Sequence, residues 1–422
     1  MDHSKRSMAT CAGLLLIVGL AGGARAADAT WFLSGTKIYT APDAEPIDDG
    51  VVVVRAGSIA AVGSKEHVEV PAGARKSACS GGVVAAGFQN SHVHLTGPQF
   101  LDAADTPAAA LGQALTRMFT RYGFSTIVDV ASDRDNTLAL RSRIDSSDVA
   151  GPRILTVGAP LFPVDGIPSY LAEYPKALLE RMAQPATPES AVEVVRENLD
   201  AGADGTKLFV ATPQADRTLK RIPVPIARAA VAETQQRGKL AMAHPTDIEG
   251  IETALAAGVD ILVHTTLGVD TAWPEPLVQR LVERNVSVVP TLKLWHYELD
   301  KDHTPAPVQQ RLVAATFDQL MGFVAAGGQI LFGTDVGYMT DVDPTEEYTL
   351  MAEAGLTPMQ ILASLTTAPA ARWKESERRG RLDVGMDADI VVLDGDPAID
   401  VASFGEVRCT FRDGARIYMD PD

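Results

Sequence analysis

The chain has 422 residues, of which 46% are hydrophobic, and its formal net charge is −17. This length suits one large domain plus a smaller one, and the apolar fraction is sufficient for a full core, so the composition excludes a disordered chain or a fibrous repeat. The acidic surface that this charge implies repels nucleic acid and anionic lipid, which excludes both as partners.

The N-terminus has the pattern of an export signal. Lys5 and Arg6 precede the apolar run GLLLIVGLAGG, and the small-residue sequence ARA follows and ends at Ala26. This run is too short for a permanent membrane anchor, and the sequence has no later run long and apolar enough for a membrane helix. We therefore expect residues 1–26 to be a cleaved signal peptide and the mature protein to be periplasmic or secreted.

The two flanks of the mature chain read as β-structure. Residues 27–81 and 381–422 contain short strand-like runs separated by turn residues, such as WFLSGTKIYT and VRCTFRDGARIY. This pattern predicts one small β-sandwich domain assembled from both flanks. Cys79 and Cys409 fall in or beside this domain, and an exported protein permits disulfides. A disulfide between them is a hypothesis that geometry decides, and the sequence leaves it open.

Residues 82–380 repeat one motif, a helical segment that ends in glycine and is followed by a short apolar strand, as in FTRYGFSTIVDV and LAAGVDILVH. Glycine closes the last turn of a helix, and strands that are apolar on both faces are typical of parallel sheets covered by helices. Helical patterns separate most of the strands, and one begins with Thr187 as N-cap and Pro188 at its first position.

Eight strand candidates lie between residues 82 and 336. Eight strands that alternate with helices over this length predict an α/β fold with a (β/α)8 TIM barrel. The rival is a doubly wound open sheet, which would usually place a glycine-rich phosphate loop after the first strand. The sequence has no such loop at that position.

Metal-ligand residue types stand on or at the ends of five of these strands. The set is His92, His94, Lys207, His244, His264 and Asp335. In a barrel, chemistry is carried by the C-terminal ends of the strands. Side chains two residues apart on a strand point to the same face, so His92 and His94 can reach one cation. His244 and His264 come from neighbouring strands and can hold a second.

The chemistry of these groups suits divalent metals, and zinc in particular. Neutral imidazole is a common ligand of Zn²⁺, and the carboxylate of Asp335 can both ligate and accept a proton. The ammonium of Lys207 would be repelled by cations unless CO₂ converts it into a carbamate, an anionic ligand able to bridge two metals. Each residue alone has an ordinary structural alternative, whereas the whole set in strand order predicts a metal site.

These motifs resemble the amidohydrolase superfamily, specifically its imidazolonepropionase-like group with metal-dependent prolidases and related amidases. GFQNSHVH, GADGTKLF, MAHP, GVDILVHTT and LFGTDVG are similar to that group's strands 1, 4, 5, 6 and 8, and GRLDVGMDADIVVLDGDP looks like its return to the β-domain. The resemblance implies a two-metal hydrolase, usually with zinc, in which a hydroxide between the metals attacks a carbonyl carbon. Relatives in this group often form ring-like oligomers, so a homo-oligomer is compatible with the resemblance.

The resemblance also implies a role for each residue. His92 and His94 would bind the more buried ion, and His244 and His264 the more exposed one. Carboxylated Lys207 would bridge the ions, and Asp335 would ligate and act as general base. The filled lysine position argues for two metals, and therefore against a one-metal deaminase.

The chain departs from the group's Pro-Gly-Phe-Ile-Asp pattern before the paired histidines. Ala86, Gln89 and Asn90 stand at the Pro, Ile and Asp positions. Asn90 retains hydrogen-bonding capacity but lacks the charge, which bears on how the metal is tuned.

Substrate contacts are predicted from the segments after the last two strands. Lys293 could hold a substrate carboxylate, Trp295 could line an apolar pocket, and Tyr338 follows the last strand; ordinary packing is the alternative for all three. Arg217, Lys220 and Arg221 could also meet a carboxylate, although a solvated run of charges is the simpler interpretation.

We expect an exported binuclear metal-dependent amidohydrolase that cleaves amide or peptide C–N bonds of dipeptides or N-acyl amino acids. The same metal pair could instead open lactones, cleave phosphotriesters or hydrolyse cyclic amides. A protein of another class, a non-catalytic binding protein on the hydrolase scaffold, is the remaining alternative.

Overall fold

The structure is a computed structural model, and it describes residues 30–172, 179, 182–267 and 271–421. The predicted signal peptide, residues 1–26, lies outside these ranges. Within them, no helix combines the length and the apolar character needed to cross a membrane.

The described ranges contain strands β1 to β18 and α-helices α1 to α11. The strands are β1 Trp31–Ile38, β2 Ile47–Arg55, β3 Ser58–Ser64, β4 Arg75–Lys76, β5 Val83–Ala86, β6 Phe88–Val93, β7 Phe124–Asp129, β8 Arg153–Thr156, β9 Gly205–Phe209, β10 Ala211–Pro213, β11 Leu219–Arg221, β12 Leu240–His244, β13 Ile261–Val263, β14 Ser287–Val289, β15 Gln329–Ile330, β16 Ile390–Leu393, β17 Val407–Arg412 and β18 Ala415–Met419. The helices are α1 Ala108–Met118, α2 Arg134–Asp145, α3 Pro188–Ala201, α4 Val224–Gln236, α5 Ile248–Ala257, α6 Glu275–Glu283, α7 Leu292–Lys301, α8 Ala306–Ala325, α9 Thr345–Ala354, α10 Pro358–Leu365 and α11 Thr367–Arg372.

The two flanks meet in one eight-stranded sheet. Its order is β18-β17-β16-β5-β1-β2-β3, with β4 paired to β1. Trp31 of β1 stacks on Phe411 of β17 with ring centroids 4.8 Å apart, although β5 and β16 lie between their strands. Because strands are spaced by about 4.8 Å, a flat sheet would keep these rings much farther apart. The sheet therefore curls so that β1 faces β17, and the expected two layers come from one sheet.

The curled sheet encloses a buried core and is cross-linked by a disulfide. Leu33, Val52, Val84 and Ile390 are buried in this core with Phe411. Cys79 and Cys409 are joined by a disulfide across 330 positions of sequence, so the hypothesis that the sequence left open is confirmed. The strand β5, which the sequence counts with the large domain, pairs with β1 and β16 of this sheet.

The central strands form two parallel sheets. One has the order β6-β7-β8 and the other β15-β14-β13-β12-β9. Their strands match the eight candidates of the sequence, but the expected closed barrel is not found as one continuous sheet. Several strands have only two to four residues, so the regular ladders end before they join.

Single backbone hydrogen bonds cross the two gaps between these sheets. Leu161 N donates to Lys207 O at 2.9 Å, and Phe209 N donates to Leu161 O at 2.8 Å, which connects the chain after β8 to β9. Ser91 N donates to Phe332 O at 2.7 Å, and Asp335 N donates to His92 O at 2.9 Å. The segment after β15 is thereby held against β6.

Local sequence explains how individual elements begin and end. The predicted start of α3 is confirmed, because Thr187 caps it and forms a capping box with Ser190, with Pro188 at the first position. Gly87 interrupts the apolar run before the paired histidines, so one predicted strand becomes β5 and β6. A Cβ at Gly87 would collide with the hydroxyl of Ser125, and this close approach requires glycine.

Candidate metal centre

The paired histidines lie at the end of β6. His92 is 1% exposed, and its ring centroid is 5.3 Å from that of His94. Both rings point toward Asp335: the distance to its Oδ1 is 3.3 Å from His92 Nε2 and 2.9 Å from His94 Nε2. The prediction that both imidazoles share one face is therefore confirmed by the geometry.

The second pair of histidines completes the cluster. The His264 ring is 4.7 Å from His92 and 4.8 Å from His244, centroid to centroid. His264 Nδ1 lies 2.6 Å from Thr291 Oγ1, which fixes the ring and leaves Nε2 facing the cluster. The potential ligand atoms of His92, His264 and Asp335 all lie within 4.8 Å of one another, a separation that one cation can bridge.

Burial sets the protonation of these imidazoles. Burial lowers the pKa of His92 to about 4 and that of His244 to about 3, and it lowers the pKa of His264 well below its usual value. Their rings are therefore neutral near pH 7, and neutral imidazole is the form that binds a metal.

Asp335 follows β15 in a left-handed backbone conformation, with φ of 59°. His264 also has a positive φ, of 74°. Side chains other than glycine rarely take this conformation, and such strain concentrates at functional sites. Burial opposes ionisation of Asp335, but its interactions with His92 and His94, hydrogen bonds included, hold its pKa well below its usual range. The site therefore contains a carboxylate.

Lys207 projects from β9 into the same cluster. It is 0% exposed, and no residue within the described ranges accepts a hydrogen bond from its Nζ. Burial lowers its pKa to about 7. Its Nζ lies 4.9 Å from the centroid of the Phe209 ring, but a buried ammonium without a hydrogen-bond partner is costly in free energy.

Asn90 and Asp129 support the cluster from behind. Asn90 Nδ2 donates to Thr334 Oγ1 at 2.8 Å, and its Oδ1 accepts from His92 N at 3.2 Å, so it ties β6 to the segment that carries Asp335. Asp129, at the end of β7, accepts from Leu95 N at 3.4 Å and from several hydroxyl groups. Sequence reasoning missed Asp129, although it occupies a strand end like the ligands.

One cavity of 740 Å³ opens above these side chains, and all six predicted ligands line it. Trp295 and Tyr338, predicted to contact substrate, also line it. Trp295 Nε1 donates to Thr265 Oγ1 at 2.7 Å, and the Tyr338 hydroxyl donates to Glu298 at 2.8 Å, so both rings are held in place.

Lys293, predicted to hold a substrate carboxylate, is not among the residues that line the cavity. Its Nζ lies 2.7 Å from Asp341 Oδ2 and donates to Asp343 O at 2.6 Å. The reason is that the chain enters α7 directly after Thr291, and the start of this helix turns Lys293 toward the segment after β15.

Tyr170 and Glu298 are two of the cavity residues that the sequence prediction did not name. Tyr170 packs edge-on against Tyr338 with ring centroids 5.4 Å apart, and Glu298 accepts the Tyr338 hydrogen bond. Glu298 lies one turn after Trp295 on α7, so helical spacing could have identified it. Tyr170 lies in a single 3-10 turn, Ser169–Leu171, which is too short to give a periodic signal.

Comparisons with known proteins find similar sequences and folds. Ochratoxinase from Aspergillus niger is 23% identical over 201 residues, which are 45% of this chain and 40% of the relative, so the chain matches less than half of that protein's length. A Xaa-Pro dipeptidase solved with methionine in its active site has a TM-score of 0.78 at 20% identity, with 93% of this chain and 100% of that chain covered.

Two further solved structures share the fold. A. niger ochratoxinase superposes with a TM-score of 0.76 at 19% identity, over 93% of this chain and 96% of that chain. Phenylurea hydrolase B gives 0.74 at 21% identity, over 92% and 96%. The sequence profile of the amidohydrolase family matches residues 83–417, most of the chain. The chain belongs to the amidohydrolase family, a family of hydrolases that act on carbon–nitrogen bonds.

Proposed function

We propose that this chain is a hydrolase that cleaves amide or peptide C–N bonds of small substrates with two divalent cations, most simply Zn²⁺. The observation that carries the proposal is the convergence of four histidines, one lysine and one aspartate on a single cavity. We also propose that the two central sheets work as one (β/α)8 barrel, since hydrogen bonds cross both gaps and the ligands stand where that fold places its chemistry.

The residues fit a pair of cations. His92, His94 and Asp335 would hold one ion, and His244 and His264 the other. Carboxylated Lys207 would bridge them, which would give a role to its buried Nζ, for which the described residues offer no hydrogen-bond acceptor. Two bound cations would lower the pKa of water and polarise a carbonyl oxygen.

Side chains of the protein would transfer the proton and exclude water from the site. Asp335 faces both His92 and His94, and it is placed to take the proton of the attacking water and pass it to the leaving nitrogen. Phe162 and Phe209 stack with centroids 4.5 Å apart in the cavity wall. Such apolar walls strengthen the electrostatic interactions of a reacting group, because they exclude water.

We further propose that the protein is exported. The basic, apolar and small-residue pattern of residues 1–26 supports cleavage of a signal peptide. The Cys79–Cys409 disulfide is consistent with an oxidising compartment.

Metal analysis combined with a substrate panel tests the proposal. The purified mature protein is analysed by plasma emission spectrometry and assayed on dipeptides, N-acyl amino acids, lactones, phosphotriesters and cyclic amides. We expect two equivalents of metal per chain and hydrolysis of the open-chain amides. Turnover only of lactones or phosphotriesters would contradict the amide assignment, and full activity after proven metal removal would contradict the metal site.

A further inference from the structure

The hairpin formed by β10 and β11 rises directly from the end of β9, the strand of Lys207. Its turn brings Arg217 to the cavity wall, beside Pro213 and Leu219. Lys220 of the same hairpin is exposed and does not line the cavity. The three basic residues that the sequence grouped together therefore have different positions.

Two other arginines near the cavity are paired with carboxylates. Arg221 lies 2.6 Å from Asp247 and 3.0 Å from Glu249, and Arg134 lies 2.7 Å from Asp135. Arg217 has no acidic partner within the described ranges. Arg217 is exposed and lines the cavity, so an anion that enters the cavity can contact this side chain.

The neighbouring carboxylate does not serve Arg217. Asp216 accepts from Thr218 N at 3.0 Å and from its hydroxyl at 2.6 Å, so it is engaged in closing the turn. Arg217 has a φ of 67°, and its backbone N–H donates to Gln214 O at 2.9 Å. This hairpin position favours glycine or asparagine. An arginine held there at the cost of backbone strain is a reason to look for a function.

We propose that Arg217 anchors a free carboxylate of the substrate, and that the natural substrates are therefore amides of amino acids, such as N-acyl amino acids or dipeptides. A planar guanidinium can bind a carboxylate through two parallel hydrogen bonds. This inference rests on the proposed function, and it gives Arg217 the role that the sequence assigned to Lys293. Lactones and phosphotriesters lack the carboxylate and would not use this contact.

The test compares an N-acyl amino acid with its C-terminal carboxamide on the zinc-loaded enzyme. We expect the wild type to prefer the carboxylate. Arg217→Gln should lower kcat/KM for the carboxylate by roughly 10- to 100-fold, mainly through KM, because a hydrogen bond to a charged group contributes on this scale. The loss for the carboxamide should be much smaller.

Two further variants separate charge from backbone strain. Arg217→Asn adopts the left-handed conformation more readily and should lose the carboxylate preference in the same way. Lys220→Gln removes a charge from the same hairpin and should keep the wild-type preference. An unchanged preference in Arg217→Gln, or an equal loss on both substrates, would overturn the inference.

A binding measurement keeps the inference separate from the proposed function. If the loaded wild type cleaves neither substrate, the proposed function fails, and calorimetric titration with the N-acyl amino acid still tests Arg217. Binding that weakens at least tenfold in Arg217→Gln would support the carboxylate anchor. Equal affinity in wild type and variant, or no binding to either protein, would refute it.

Discussion

The buried lysine of the metal centre leads to a prediction in which one substitution has opposite effects on stability and on metal binding. In metal-free protein, Lys207 is 0% exposed and its Nζ has no hydrogen-bond partner within the described ranges. Burial lowers its pKa from 10.5 to about 7, which corresponds to about 5 kcal/mol against the charged form. Lys207→Met is shorter by the terminal nitrogen only and removes this cost. We expect metal-free Lys207→Met to be more stable than metal-free wild type by about 2–4 kcal/mol at neutral pH.

The pKa shift of Lys207 determines how the stability of the metal-free protein changes with pH. The folded protein releases the Lys207 proton near pH 7, whereas the unfolded chain retains it up to the usual pKa of 10.5. The unfolded state therefore binds more protons in this window, so the wild type gains stability as pH rises through it. The advantage of Lys207→Met should be largest below pH 7 and should shrink as pH approaches 10.

Urea unfolding of chelator-treated protein in CO₂-free buffers measures this difference, at about pH 6, 8 and 9.5. Reconstituted samples are then analysed for metal and assayed for amide hydrolysis, and Lys207→Met should hold less metal and show no turnover. Lys220→Met, on the exposed hairpin surface, is the matched control and should change neither the free energy of unfolding nor the metal content. A less stable Lys207→Met, or a difference that does not vary with pH, would refute the reasoning about burial. Metal content equal to wild type would refute the bridging role.

Other changes test separate parts of the structure. Asp335→Asn should retain more metal than activity, because an amide still offers an oxygen ligand but is a poor proton acceptor; a normal rate would show that another group is the base. Asn90→Ala removes the link between His92 and Thr334 and should cost about 1–3 kcal/mol of stability, measured by urea unfolding, and lower kcat more than it raises KM. Reduction of the Cys79–Cys409 disulfide should lower the free energy of unfolding by about 2–5 kcal/mol, and an unchanged melting temperature after complete reduction would contradict this. Burial raises the pKa of Glu347 to about 7. The free energy of unfolding of the wild type should therefore fall by up to about 3 kcal/mol relative to Glu347→Gln as pH rises from about 4.5 to 7. Stability profiles of the two proteins that run parallel over this pH range would contradict this.

The positions of the metal-centre residues could be predicted because they follow from strand ends. His92, His244 and His264 each stand at the end of a short apolar run, and the structure places them in one cluster. Parallel strands share one direction, so residues at their carboxyl ends meet whatever the connecting segments do. This is why residues far apart in sequence could be placed together without knowledge of the loops.

The side chains around the substrate could not be placed in the same way. Lys293 and Trp295 are two residues apart, yet one contacts Asp341 and the other lines the cavity. The difference comes from α7, which begins at Leu292 and points the two side chains in different directions. The sequence alone gave no reason to start a helix there, because Thr291 enters it with a φ of 47° that threonine seldom adopts.

The curled sheet affects the metal centre because its strand β5 continues almost directly into β6, the strand of the paired histidines. β5 belongs to the curled sheet, and only Gly87 separates it from β6, which carries His92. Gly87 N donates to Asp389 O at 2.9 Å, and the Asp389 carboxylate lies 2.9 Å from the guanidinium of buried Arg379. The start of β6 is therefore fixed by residues of the C-terminal flank. A site that needs its ligands within a fraction of an ångström gains from such an anchor, and the C-terminal flank supplies it immediately before the strand of the paired histidines.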